Sequence, residues 1–340
     1  MPRKRLMREK CRFSICAIMR DEGCYLMEWL EFHKLVGVER FYLYNNNSVD
    51  NTQDIVIPYI QTGEVIFHDW PMHPGQISAY EHCLKHYGRE SEWMAFIDLD
   101  EFLFATEKND IREVLEEFKD YPAVVVNWLC FGSSGHIKRP KGLQVENYTK
   151  RAPDNFESHK VVKSIIRPDK TLGSAGNPHE FTYLDGLAVT ESKQPLLGGS
   201  RTQISSVKKL RINHYKTRSQ EDGDYKTRRG RPTTLQPRNP QLFKAYDRND
   251  IEDLTIQRFL PQLKNAIAER ERILNYELLL KQQAQTPNQL AFDYQESDLI
   301  DFSNSKLKRS FQQLQQIQKE LAQSKSWLDH LEDTSLIVSN

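Results

Sequence analysis

Asp98 and Asp100 stand one residue apart at the end of the apolar run 93–97 (WMAFI), and Glu101 follows at once. Just past a strand, carboxylates at i and i+2 point into one loop site while Leu99 turns back to the core. Acidic groups this close repel one another unless a cation sits among them. Hard oxygen ligands suit Mg2+ or Mn2+ bound jointly with substrate phosphates. An Asp-x-Asp alone is also the mark of a solvated acidic loop; the buried-strand pattern before it, fourth in a series, favours the metal. A cation bridging a diphosphate neutralises its charge and stabilises the phosphate oxygen that leaves when a sugar moves. His214, closing the run 208–214 (KKLRINH), is read as the third ligand, with a hydrogen-bonded core histidine as the alternative. Lys216, Arg218, Lys226, Arg228 and Arg229 come next. They either clamp the leaving nucleotide or form a solvated basic face.

These side chains need elements to position them. Apolar runs at 13–19, 40–44, 65–68, 93–97 and 123–128 alternate with amphipathic segments at 22–36, 50–60, 75–87 and 111–118. Continuous rather than alternating apolar character fits strands covered on both faces. The series therefore predicts an α/β fold with a doubly wound, mostly parallel sheet, whose ligands lie beyond the carboxyl ends of the strands. The polar loops 20–22, 45–48, 71–75 and 98–100 would ring that mouth. Arg20, Glu22, Asn45 and Asp50 read as base and ribose contacts, although Asp50 or Ser48 could simply cap the next helix. Gln76 opens the third helix, where exposed amides favour an anion. His82 and Cys83, among apolar neighbours, read as packing.

From 131 to 206 glycine, proline and serine clusters predict long, partly ordered loops for substrate selection. Ser219 is placed to cap a helix through 226–231. A domain of residues 11–260 is expected, with a helical, Gln-rich extension over 261–340. In that extension Leu307, Phe311, Leu314, Leu321 and Leu328 fall at near-heptad spacing, readable as a self-association seam or as a packed arm. With 340 residues, 38% hydrophobic and 10% aromatic, the chain can bury a real core. Lys+Arg and Asp+Glu both count 47, which argues against a nucleic-acid partner. No run is long enough to cross a bilayer, and five cysteines without a CxxC pair suit a reducing cytoplasm. The basic start 1–10 allows a peripheral contact at the inner face of a membrane.

Several stretches in order resemble glycosyltransferase family 92, whose members adopt the GT-A fold. They are Met19-Arg20-Asp21-Glu22 with 25–30 (YLMEWL) and His33, Gly37-Val38 with 41–46 (FYLYNN), and 96–102 (FIDLDEF). Further on come 131–136 (FGSSGH), Pro178-His179, Asn213-His214-Tyr215 and 228–231 (RRGR). The resemblance covers roughly 11–261. It implies that Asp98 and Asp100 form the donor-metal motif and His214 its C-terminal metal histidine. It also implies transfer of galactose or a related sugar from a UDP-sugar to a carbohydrate acceptor, with inversion, as in polysaccharide biosynthesis. One-step inversion needs a carboxylate base. Glu180 is the first choice, with Asp154, Glu157 and Glu221 as rivals, and the loop 131–136 with Trp128 as acceptor platform. Lys216 would lie against the donor. A nucleotidyltransferase or nucleotide-sugar hydrolase using the same metal is the competing enzyme; a non-catalytic binding scaffold is the other reading.

Overall fold

The computed structural model describes residues 10–230, 239 and 241–285. It opens with a crossover series: β1 (Cys11–Met19), α1 (Gly23–Leu35), β2 (Arg40–Asn45), α2 (Thr52–Gln61), β3 (Val65–Asp69), α3 (Gln76–Tyr87) and β4 (Ser91–Phe96). Next come β5 (Glu101–Ala105), α4 (Ile111–Leu115), β6 (Ala123–Cys130), α5 (Gln144–Asn147), β7 (Lys150–Arg151), β8 (Val162–Ile166), β9 (Thr171–Ser174) and β10 (Phe181–Tyr183). The chain continues through β11 (Leu210–His214), α6 (Gln220–Arg229), α7 (Gln241–Tyr246), β12 (Ile251–Glu252) and α8 (Leu260–Gln285).

Eight strands form one sheet in the order β3-β2-β1-β4-β8-β6-β11-β5. β1, β2, β3 and β4 run parallel, as do β6 and β11, while β8 and β5 run against their neighbours. This is the doubly wound, mostly parallel sheet that the alternating runs predict. Pleating divides β1 between two cores. Phe13, Ile15, Ala17 and Met19 join Trp29 and Phe32 of α1 and Val56 and Tyr59 of α2. Cys16 and Ile18 face the other way, onto Ala79, Tyr80 and Cys83 of α3. His82 lies beside this second core, hydrogen-bonded to Tyr44 and stacked near His86, as the packing interpretation anticipates.

The region 131–206 departs from the expectation of long loops. β8 (VKSII) sits in the middle of the sheet, between β4 and β6. Lys163 and Ser164 interrupt its apolar run, so it lacks the strand signature, yet both are buried. β9 and β10 form a separate hairpin. β5 was hidden for the opposite reason: its start is the acidic motif itself, and all five of its residues are buried.

One compact unit reaches Leu278, and a second begins at Leu279. Within the first, Ile256, Phe259 and Leu263 belong to the main core, and Arg270 pairs with Glu31 and Glu64. The basic start before residue 10 and the near-heptad positions from Leu307 to Leu328 fall outside the described residues. Among the described residues no helix is long and apolar enough to cross a membrane. Leu263 is wholly buried, so Leu263→Ala is expected to lower the unfolding free energy by roughly 2–5 kcal/mol, through lost transfer energy and a residual cavity. Urea titration would measure it, and a loss under about 1 kcal/mol would mean that α8 is not part of the folding core.

Candidate active site

The carboxyl ends of the parallel strands carry the chemistry. Beyond β4, Ile97 and Leu99 are buried, while the Asp98 side chain is 36% exposed between them. Asp98 Oδ1 accepts from Gln76 Nε2 at 2.8 Å, and Oδ2 lies 3.0 Å from Lys163 Nζ. The backbone N–H of Asp98 donates to Glu101 Oε2 at 2.9 Å, and the same oxygen is 3.6 Å from Lys163 Nζ. Because β8 is antiparallel, its first residues lie at the mouth, which is how Lys163 gets there. Burial alone would favour a neutral lysine, but Asp98 and then Glu101 outweigh it and hold the ammonium protonated above its usual range. Complete burial pushes Glu101 well up against the pull of Lys163, and among the described residues its Oε1 has no hydrogen-bond partner.

Asp100 faces a different set. Its Oδ2 is 2.7 Å from Lys226 Nζ, and its Oδ1 is 3.5 Å from His214 Nε2. Burial opposes ionisation of Asp100, yet Lys226 and then His214 hold its carboxyl well below the usual range. His214 ends β11, which pairs with β5 so that His214 lies opposite Glu101. Burial, only partly offset by Asp100, lowers the pKa of this imidazole. Its ring packs on Trp128 at 4.3 Å between centroids, and its Nδ1 has no partner among the described residues. Beside Asp100 a cleft opens, bounded by Lys216, Thr217, Lys226, Thr227 and Tyr246. The Lys216 ammonium lies 3.4 Å from the centre of the Tyr246 ring.

The loops after β1, β2 and β3 form one hydrogen-bonded rim. Asp21 N–H donates to the Ser48 hydroxyl, and Asp21 Oδ1 accepts from Val49 N–H. Asn46 donates to the carbonyls of Trp70 and Met72. Asn45 is inside the rim: it donates to Asp69 and accepts from Ser48 N–H. Asp50 takes the first N–H of α1 at Gly23 and that of Thr52, which is a capping arrangement. The carbonyl of Arg20 accepts from Arg229, and its own guanidinium is 3.9 Å from Asp21. Glu22 is buried in a bridge to Arg218 at 2.7 Å and Arg229 at 2.8 Å. Burial would raise its pKa, but the two guanidiniums outweigh it and lower it to about 2. Glu180 lies in the turn before β10, accepting from Asn177 Nδ2 at 2.7 Å, next to His179, whose ring meets Trp128.

Lys163 carries no signal in the sequence, whereas Lys226 and Arg218 stand there as candidate clamps for the leaving nucleotide or as a solvated basic face, and both are buried rather than solvated. Arg218 adopts a left-handed backbone, φ 55°, which costs about 1–2 kcal/mol for a residue with a side chain. That turn aims its guanidinium at Glu22, Gln144, the Leu99 carbonyl and the face of Tyr25. Ser219 accepts from Asp222 N–H and caps α6, as predicted. Asp100 and His214 suit a divalent cation, being a carboxylate oxygen beside an imidazole nitrogen whose pKa burial lowers. Asp98 brings a second carboxylate to the same mouth, although it is engaged by Lys163 and Gln76. Among the described residues no three His, Cys, Asp or Glu side chains are already arranged to hold a metal ion.

Parallel strands that deliver two aspartates to the mouth of a doubly wound sheet place the chain in the GT-A class of α/β folds. The chain belongs to glycosyltransferase family 92, whose sequence profile matches residues 12–259. A family 92 protein of Oryza sativa subsp. japonica is 30% identical over 63% of this chain and 34% of its own length. A galactan beta-1,4-galactosyltransferase of Arabidopsis thaliana is 23% identical over 55% of this chain and 37% of its own. The chain thus spans about a third of the length of the curated relatives it matches. Among solved structures, S. aureus TarS in complex with UDP-GlcNAc is 15% identical, with a TM-score of 0.36 over 75% of this chain and 72% of that one.

The Glu22 bridge carries a pH signature. Its folded pKa is lowered, so its contribution is present above the unfolded value and is lost as pH falls. Between about pH 5 and pH 2 this should remove roughly 3 kcal/mol of stability. In urea titrations across that range, Glu22→Gln should flatten this part of the acid limb and lower stability at neutral pH. An acid limb unchanged by the substitution would mean that Glu22 is not held by the two arginines in solution.

Proposed function

We propose that the chain is a glycosyltransferase that moves a sugar, galactose, from a UDP-sugar to a carbohydrate acceptor by metal-assisted inverting displacement. The observation that carries this reading is the pairing of Asp100 with His214 and Lys226 at the strand ends of a family 92 chain. The donor sugar follows the galactan galactosyltransferases among its relatives.

Asp98, Asp100 and His214 would hold a Mn2+ or Mg2+ ion, which supplies charge neutralisation to the departing diphosphate. Lys216 and Lys226 border the small cleft beside Asp100, where their ammonium groups would meet phosphate oxygens. Gln76 and Lys163 fix the Asp98 carboxylate from two sides, so its orientation is set before substrate arrives. Trp128 and Phe131 are buried, so of the expected acceptor platform only Ser134, Gly135 and His136 are accessible to an acceptor, and they offer it polar contacts rather than an apolar face. Ser133 and Ser134 N–H groups are tied to Asp247 and Asn249, which keeps that loop in place. The acceptor hydroxyl loses its proton to Glu180 as its oxygen bonds the anomeric carbon, and the bond to the diphosphate breaks with its electron pair going to UDP. Of the rival bases, Asp154 is bridged to Arg151, Glu157 to Lys160, and Glu221 accepts from Arg139 N–H.

UDP with Mn2+ should stabilise the folded protein by roughly 2–3 kcal/mol at a hundredfold excess over Kd. Asp100→Ala should abolish that gain in a thermal-shift titration. Absence of any response to nucleotide diphosphates, with or without Mn2+, would leave the binding-scaffold reading in its place. Equal sugar release with and without carbohydrate would make the protein a hydrolase. Glu180→Gln is expected to reduce kcat by about 10²–10⁴-fold while leaving UDP binding unchanged; full activity in that variant removes Glu180 as the base.

A further inference from the structure

We propose that Lys163 and Lys226 are resident counter-ions of the aspartate pair, closing it to a free divalent cation and yielding it to one that arrives with a nucleoside diphosphate. The inference rests on the glycosyltransferase reading above and deepens it.

Each aspartate has its own lysine. Lys163 Nζ is 3.0 Å from Asp98, and Lys226 Nζ is 2.7 Å from Asp100, with the two lysine side chains 1% and 4% exposed. A bare dication would therefore enter beside two buried ammonium groups and compete with both for the same carboxylate oxygens. A dication carried by a diphosphate has its positive charge cancelled, so that repulsion is largely removed. The structure also supplies each lysine with somewhere to turn. Glu101 lies 3.6 Å from Lys163 Nζ, and its Oε1 has no partner among the described residues, so the ammonium can pass from Asp98 to Glu101 without leaving the protein interior. Lys226 borders the cleft beside Asp100 together with Lys216, where phosphate oxygens would take the place of the aspartate. Lys163 is in this sense a positioning residue, because it acts on the cation and the donor only through Asp98. A merely structural lysine would have no reason to couple the two ligands.

The test is Mn2+ binding to the full chain, with and without UDP, read from the loss of the free-ion EPR signal beyond the loss that the same UDP causes without protein. In the wild type, UDP should tighten Mn2+ binding about 100-fold. Lys163→Gln and Lys226→Met should each tighten the binding of Mn2+ alone by about tenfold and shrink the coupling to UDP by the same factor. Lys226 lies on α6 rather than in the sheet, so its variant gives a reading even if Lys163→Gln fails to fold. Mn2+ binding the wild type equally well with and without UDP would overturn the inference. So would variants whose affinity for Mn2+ alone is unchanged or weaker, and so would a wild type that binds no Mn2+ under either condition. Sugar transfer by the wild type is measured separately. Transfer that persists in EDTA would leave sugar transfer standing while its metal assistance and this inference both fall, and strong Mn2+–UDP coupling without transfer would leave this inference standing while the glycosyltransferase reading falls.

Discussion

Carboxylates gathered at one end of a sheet repel one another, and most of what surrounds the mouth answers that repulsion. Asp98, Asp100 and Glu101 are neighbours in the chain, at the junction of β4 and β5, and Glu22 comes from the loop after β1. The cations that answer them, Lys163, Arg218, Lys226 and Arg229, come from β8 and from the region around α6. Neutralising the site therefore requires the chain to return to it twice from far away in sequence. The charge requirement and the topology are the same constraint seen from two sides.

The sheet order shows how that return is made. β8 inserts antiparallel beside β4, so its first residues, rather than its last, reach the mouth. Were β8 parallel to β4, Lys163 would lie toward the opposite edge of the sheet, away from Asp98. β11 runs parallel to β6 and antiparallel to β5, which sets His214 opposite Glu101 and close to Trp128. Two strands running against their neighbours thus let both the acidic motif and its partners share one end of a sheet that is otherwise parallel.

The legible parts of the sequence are those where local pattern and final environment agree. β1 to β4 are continuous apolar runs because both of their faces are covered, and Ser219 precedes its helix as a cap residue does. The aspartates and His214 could be found because they sit where strands end. Lys163 and β8 could not. A lysine in a strand reads as a solvent-facing position, and only a carboxylate pair distant in sequence makes its burial affordable. Asp50 left two readings open because an acceptor placed after a strand serves a helix start and a ligand equally well; the hydrogen bonds to Gly23 and Thr52 show it at the helix starts. Arg218 was visible as a basic residue, but its left-handed backbone, and so the direction of its side chain, depends on contacts with Glu22, Gln144 and Leu99 that no local pattern contains.

A network of this kind is an inefficient way to gain stability. Desolvating several charges costs about as much as their attraction returns, and well-packed apolar groups of similar volume commonly do as well or better. The mouth carries several such costs: a strained backbone at Arg218 and, among the described residues, an unpartnered oxygen on Glu101 and an imidazole at His214 with one nitrogen left without a bond. The faces of β1 and β2, by contrast, are largely apolar and tightly covered. Strain and incomplete bonding at a site are what a protein keeps when the arrangement itself is needed. Stability comes from the two apolar cores, and those cores hold the mouth in a charge distribution that it would not adopt unaided.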